Sequence, residues 1–221
     1  MEAHAKGKAR AAPPRPAARD LLLDAASAVM SERQTIDVPL ADIAARAEVN
    51  VALVSYYFGG KDGLLLALAK RDAATALGEL DRLLSLDMRP AEKLRRHIGG
   101  VIRTFFRYPY LYRLLAVLMR DSSEENAREI TTFFIGPLAR TGKELMEAGI
   151  ADGTIRPMDP TLFYMAALGA CEQIFANRAI LKFVHGVNDI DEALMRRYSD
   201  VVLEVLTRGY LEPAPDSRHK S

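Results

Sequence analysis

The side chains with most to offer chemically lie together in PLADIAARAEVNVALVSYYFGGK, residues 39–61. Asn50, Ser55, Tyr56, Tyr57 and Lys61 supply an amide, a hydroxyl, two phenols and an ammonium, with Val51 and Leu53 as apolar neighbours. Such a set suits noncovalent recognition of nucleic acid. An ammonium or a hydroxyl contacts phosphate oxygens, a serine hydroxyl donates or accepts at a base edge, and an aliphatic side chain touches a thymine methyl. No arginine is among these seven residues. Strong bidentate contact with guanine is therefore missing, and phosphate contacts and DNA shape would carry more of the affinity.

Two short helical patterns must position these groups. Leu40, Ile43, Ala44 and Ala47 recur on one helical face, and Pro39 suits a first helical position, where its missing N–H is not needed. Val51, Val54 and Phe58 form the second pattern, with Asn50 ahead of it as an N-cap. Only Glu48 and Val49 separate Ala47 from that cap, so the helices meet at a steep angle. The small side chains of Ala44, Ala45, Ala47 and Ala52 permit close approach. The pattern reads as a helix-turn-helix, and an ordinary αα-hairpin shares its periodicity.

Residues 17–68 resemble the N-terminal domain of the TetR (tetracycline repressor) family of transcription regulators. The matching positions are Leu22, Ala25 and Ala26, then Ile43, Ala44, Ala47, Val49, Ala52, Val54, Tyr57, Phe58, Lys61 and Leu64. There are departures. Glu48 stands where the family usually has a turn glycine, and a left-handed backbone there costs about 1 kcal/mol. Val38-Pro39 replaces a threonine that commonly opens the second helix, and Ser55 replaces the first tyrosine of the closing motif.

The resemblance implies a second helix lying in the major groove. Asn50, Tyr57 and Lys61 would then contact phosphates, with Val51, Leu53, Ser55 and Tyr56 toward base edges. It further implies a double-stranded DNA operator of palindromic form, an unidentified small-molecule effector, and repression as the default output. The homodimer would form through the eighth and ninth helices. A single short helix reads few base pairs, so two-fold symmetry doubles the contact set.

The fold class expected is all-α, with about nine helices and no convincing period-2 strand. The first helix covers about 17–32, the fourth 61–84, and the fifth follows the break at Met88-Arg89-Pro90 and ends at Pro109. The sixth covers about 110–120 and the seventh 124–148, with Ser123 as its cap and Pro137 interrupting it. The eighth covers about 159–183 and the ninth 190–210. The expected domain organisation is a flexible basic arm over 1–15, a DNA-binding head over 16–62, a ligand-binding and dimerisation body over 63–212, and a polar tail over 213–221. Lys6, Lys8, Arg10, Arg15 and Arg19 make the arm region basic, as a solvated terminus or a DNA-contacting arm would be. Leu162, Ala166, Gly169, Ala170 and Gln173 on the eighth helix, with Leu194, Val201, Val202, Val205 and Leu206 on the ninth, mark wide faces suited to helix packing within or between chains.

The resemblance implies an effector pocket among helices five to eight. Candidate lining residues are His97, Phe105, Tyr112, Met119, Phe134, Phe163, Glu172, Gln173, Phe175 and Asn177, with Phe106, Phe133 and Tyr164 beside them. Aromatic and methionine side chains suit an apolar ligand, and they suit a protein core equally well.

Composition bounds the rest. The 221 residues are 49% apolar, enough for a sizeable core, and the net charge of +1 adds nothing to a DNA-binding reading. The single cysteine, Cys171, excludes an intramolecular disulfide and suits an inert core position in a cytoplasmic protein. The N-terminal region has no signal-peptide h-region, and no apolar run of roughly 18 residues suggests a membrane span. His4, His97, His185 and His219 lack metal-site spacing, and Gly59-Gly60-Lys61-Asp62 lacks P-loop spacing. No metal or cofactor is expected. The rival readings are a helical protein-interaction module without specific DNA binding and an all-α enzyme.

Overall fold

The computed structural model describes residues 18–210. The arm expected over 1–15 and the tail expected over 213–221 lie outside the described residues. In chain order the elements are α1 (Ala18–Arg33), α2 (Leu40–Arg46), α3 (Ala52–Phe58), α4 (Lys61–Leu84), α5 (Pro90–Arg107), α6 (Leu111–Arg120), α7 (Glu124–Ile130), a π-helical turn (Thr131–Ile135), α8 (Gly136–Ala151), α9 (Pro160–Ala176), α10 (Arg178–His185) and α11 (Glu192–Tyr210). No strand occurs among the described residues. The nine expected rods are present, two of them interrupted.

The seventh rod breaks just before Pro137. A proline has no N–H, and its ring crowds the carbonyl four residues back. Widening one turn relieves this: the Gly136 N–H bonds to the Thr131 carbonyl, five residues back. The helix then runs on to Ala151, beyond the expected end. The eighth rod is not continuous to Phe183, as its apolar pattern suggested. Asn177 leaves helical geometry (φ −113°, ψ 39°). Its backbone N–H and its side-chain Nδ2 both donate to the Gln173 carbonyl, at 3.1 and 3.3 Å. A short amide side chain that competes for backbone acceptors ends a helix that hydrophobicity alone would continue.

The caps explain several boundaries. The Asp159 carboxylate accepts from Thr161 and Leu162 N–H groups at 2.8 and 3.0 Å, with Pro160 opening α9. Ser123 accepts from the Asn126 N–H at 3.2 Å, as expected. Pro39 sits one place earlier than expected, as the extended cap ahead of α2.

α1 to α3 pack on the first half of α4 around Leu22, Ala26, Met30, Val38, Ile43, Val54, Leu64 and Leu68. The second half of α4 belongs to the body. There α5 lies centrally, against α4, α8, α9 and α11, with Leu94, Ile98 and Ile102 fully buried. α4 is thus shared by head and body.

Candidate nucleic-acid interface and ligand cavity

The turn between α2 and α3 is built by a left-handed residue. Glu48 has φ +56°, and the N–H of Val49 bonds back to the Ala44 carbonyl at 3.1 Å. α3 then begins under a side-chain cap: the Asn50 Oδ1 accepts from the Ala52 N–H at 2.8 Å. At the other end Gly59 takes φ +73° and its N–H bonds to the Ser55 carbonyl at 3.0 Å. Gly63 is a requirement the sequence did not reveal. A Cβ there would lie 1.8 Å from the Phe58 carbonyl oxygen, so α4 can start against the end of α3 only with glycine at this place.

These constraints aim one face of α3 outward. Val54 is fully buried and Leu53 is half-buried against the core. Asn50, Val51, Ser55, Tyr56 and Tyr57 are exposed, with Tyr56 at 78% the most open aromatic of the head. Tyr56 and Tyr57 meet edge to face, 4.9 Å apart. Lys61, in the first turn of α4, pairs with Asp37 at 3.0 Å. Arg46 pairs with Glu32 at 2.8 Å and Arg33 with Asp42 at 2.5 Å. Exposed pairs of this kind are weak and can exchange a carboxylate for a phosphate.

In the body, α4, α5, α6, the π turn, α8 and α9 enclose a cavity of about 680 Å³. Six of the sequence candidates line it: His97, Phe105, Tyr112, Met119, Phe134 and Glu172. Tyr164 joins them. Four do not. Phe175 is buried behind Phe105, ring centroids 6.3 Å apart. Asn177 spends its amide at the α9–α10 junction, and Gln173 is exposed on another face of α9. Phe163 is half-buried against the core, one residue from Tyr164 but turned away by the helical repeat.

Arg96, Gly100, Arg103 and Thr104 also reach the cavity and were missed. They share a stripe of α5 at i, i+4, i+7 and i+8, a spacing visible in the sequence but disguised by its polar content. The π turn contributes Phe134 and Ile135 to the wall.

His97 and Tyr164 are the buried polar pair in this wall. The His97 Nε2 and Tyr164 Oη are 2.8 Å apart, with ring planes within 6°. Burial pushes His97 down to about 4 and raises Tyr164, so both are neutral near pH 7. Burial also raises the Glu172 carboxyl. Cys171 is sealed beside the Ile98 carbonyl, and burial pushes its thiol up to about 12, the signature of an inert core thiol.

A third feature is an exposed apolar surface on the last three helices. Leu162 and Met165 on α9, Phe183 and Val184 on α10, and Val201 and Val205 on α11 are each more than half exposed. Val202 and Met195 turn inward instead. Among the described residues, no helix is long and apolar enough to cross a membrane, and no cluster of three or more His, Cys, Asp or Glu could hold a metal ion.

Comparison with known proteins matches this geometry to a family. Residues 22–68 match the family model described as bacterial regulatory proteins, tetR family, and residues 87–216 match that of the tetracyclin repressor-like C-terminal domain. The HTH-type transcriptional regulator BetI of Brucella abortus is 37% identical over 91 residues, covering 41% of this chain and 44% of the relative. BetI of Rhizobium meliloti is 35% identical over 92 residues, covering 42% and 43%. The chain thus spans less than half the length of the curated relatives it matches. Among solved structures, the ketosteroid transcriptional regulator KstR2 of Mycobacterium tuberculosis superposes with TM-score 0.71 at 16% identity, covering 92% of this chain and 100% of that one. The regulator FadR of Bacillus subtilis, in complex with stearoyl-CoA, gives 0.65 at 21% identity, covering 86% and 98%. At these identities the superpositions speak for the fold alone.

Proposed function

The chain belongs to the tetR family of bacterial regulatory proteins, and from that premise we propose a transcriptional repressor that binds a palindromic operator as a homodimer and leaves it when a largely apolar effector fills the body cavity. The observation that carries this reading is the outward face of α3. A helix that only sealed a core would not hold Val51, Ser55, Tyr56 and Tyr57 in solvent beside Lys61. In this reading Tyr56, Ser55 and Val51 reach base edges, while Asn50, Tyr57 and Lys61 hold phosphates. Leu53, half-buried, contributes at most its outer methyl.

The exposed stripes of α9 and α11 support the dimer, since apolar side chains so placed gain by burial against a second copy. A volume of about 680 Å³ lies within the range of small-molecule sites. KstR2 is a ketosteroid transcriptional regulator and FadR was solved in complex with stearoyl-CoA; a steroid and a stearoyl chain are bulky and apolar, and this cavity suits an effector with a part of that kind. Release follows from differential affinity: an effector that prefers the non-binding spacing of the two heads shifts the population toward it. The cytoplasm is the proposed compartment.

Fluorescence anisotropy with duplexes from upstream of the chain's own gene and its neighbours tests the reading. Salt-sensitive, sequence-selective binding is expected. Absence of binding even at low salt would favour the protein-interaction module instead.

A further inference from the structure

The cavity wall is largely apolar, and of its polar side chains Glu79, Arg96, Arg103, Thr104, Tyr112 and Glu172 are partly or fully exposed. Arg96 and Arg103 are exposed, and Arg96 is engaged by Glu92 at 3.1 Å. His97 and Tyr164 differ, being 4% exposed each. Tyr164 is held in place by a device of its own. A Cβ on Gly142 would fall 2.3 Å from the Tyr164 ring, so the ring packs directly against the α8 backbone, where only glycine admits it.

The hydrogen count of this pair is decisive. A tyrosine hydroxyl and a neutral imidazole own one O–H and one N–H between them. One hydrogen is consumed by the 2.8 Å bond that joins them. If the hydroxyl donates to Nε2, the Nδ1–H remains. If Nε2–H donates to the hydroxyl oxygen, the tyrosine O–H remains. Either arrangement leaves one donor, and among the described residues no sealed polar side-chain atom lacks a partner. That donor belongs to a pair whose two side chains both line the cavity.

Resting on the reading of the cavity as an effector site, we propose that His97 and Tyr164 select the effector by offering this single neutral donor to an uncharged carbonyl oxygen on an otherwise apolar molecule. A ketone, ester, thioester or amide fits. The pair itself offers a carboxylate no balancing charge, because burial keeps both rings neutral; the cations lining the cavity are Arg96 and Arg103. A pure hydrocarbon leaves the donor unpaired, which costs affinity.

Competition against phenylnaphthylamine, a neutral fluorescent reporter for the cavity, tests this with two probes of equal chain length, methyl octyl ketone and terminal decene. In the double variant His97→Phe, Tyr164→Phe the ketone should lose about fivefold to tenfold in affinity relative to the decene, while the reporter still binds. Parallel shifts of both probes would overturn the inference and leave the effector site standing. Should the double variant not bind the reporter, the imidazole nitrogen resonances of His97 in the unaltered protein decide. They should move with the ketone and not with the decene, and equal or absent responses overturn the proposal. If the unaltered protein binds neither reporter nor probe, the effector-site reading fails, and the inference with it.

Discussion

The hydroxyl of Tyr110, at the corner between α5 and α6, donates to the carboxylate of Asp72 on α4, and both side chains are buried. The same hydroxyl is hydrogen-bonded to Ser27 of α1 at 2.8 Å. Arg71 completes the junction, reaching Asp72 at 2.9 Å and Asp24 of α1 at 2.7 Å. Burial raises Asp72 and Tyr110 above their ordinary values, against the hydrogen bond and the Arg71 charge that hold the carboxyl down. This network ties a corner of the body to the head through α4, the helix whose Ala76, Leu80 and Leu83 line the cavity. Tyr110→Phe removes one donor from a buried carboxylate and should destabilise the protein by about 1–3 kcal/mol. Urea denaturation measures it, and an unchanged midpoint would show that the junction adds nothing to stability.

Lys61 and Asp37 predict opposite changes in DNA affinity. Lys61→Ala should weaken binding across all sequences and lower the salt slope by about 1. Asp37→Ala frees Lys61 from its exposed partner and should tighten binding. Equal affinities and slopes for all three proteins, read by anisotropy at several salt concentrations, would remove Lys61 from the phosphate contacts.

Glu48 holds φ +56° without a glycine's freedom. Glu48→Gly relieves roughly 1 kcal/mol of left-handed strain and returns part of it as unfolded-chain entropy. A rise in Tm of about 1–3 °C is expected. A fall would mean that the Glu48 side chain contributes more than its backbone costs.

His97 makes stability depend on pH. The unfolded imidazole takes up a proton below about 6.5, whereas the buried ring resists until about pH 4. Between these values the unfolded state binds more protons, so stability is full above pH 6.5 and falls as the pH drops toward 4. The loss should total about 3 kcal/mol and vanish in His97→Phe. Denaturation at several pH values checks the slope in both proteins.

The dimer face is tested by placing charge on it. Leu162→Glu combined with Val205→Glu alters side chains 69% and 66% exposed, so the isolated fold should survive. Sedimentation should show a monomer, and operator affinity should fall by at least tenfold as the paired half-site contacts are lost. A stable dimer would place the interface elsewhere.

Most of the fold was legible because local signals agreed. Apolar spacing marked each rod, Ser123 capped the seventh, and proline broke it. The joint at Asn177 was not legible, since its break is made by an amide competing for one carbonyl inside an unbroken apolar pattern. Of the pocket candidates, aromatic type found Phe105, Tyr112 and Phe134 but also Phe175, because cavity wall and core use the same side chains. Arg96 and Arg103 escaped for the converse reason, their charge suggesting open solvent.

By itself the sequence determined the helix-turn-helix, the outward chemistry of α3 and the all-helical body, because these follow from spacing within a few turns of one helix. Tertiary structure alone decided that Gly63 must be glycine, that Gly142 admits the Tyr164 ring, and that His97 meets Tyr164 and Tyr110 meets Asp72. Those relationships join residues 67 and 38 positions apart in the chain, and periodicity carries no information about which distant faces come into contact.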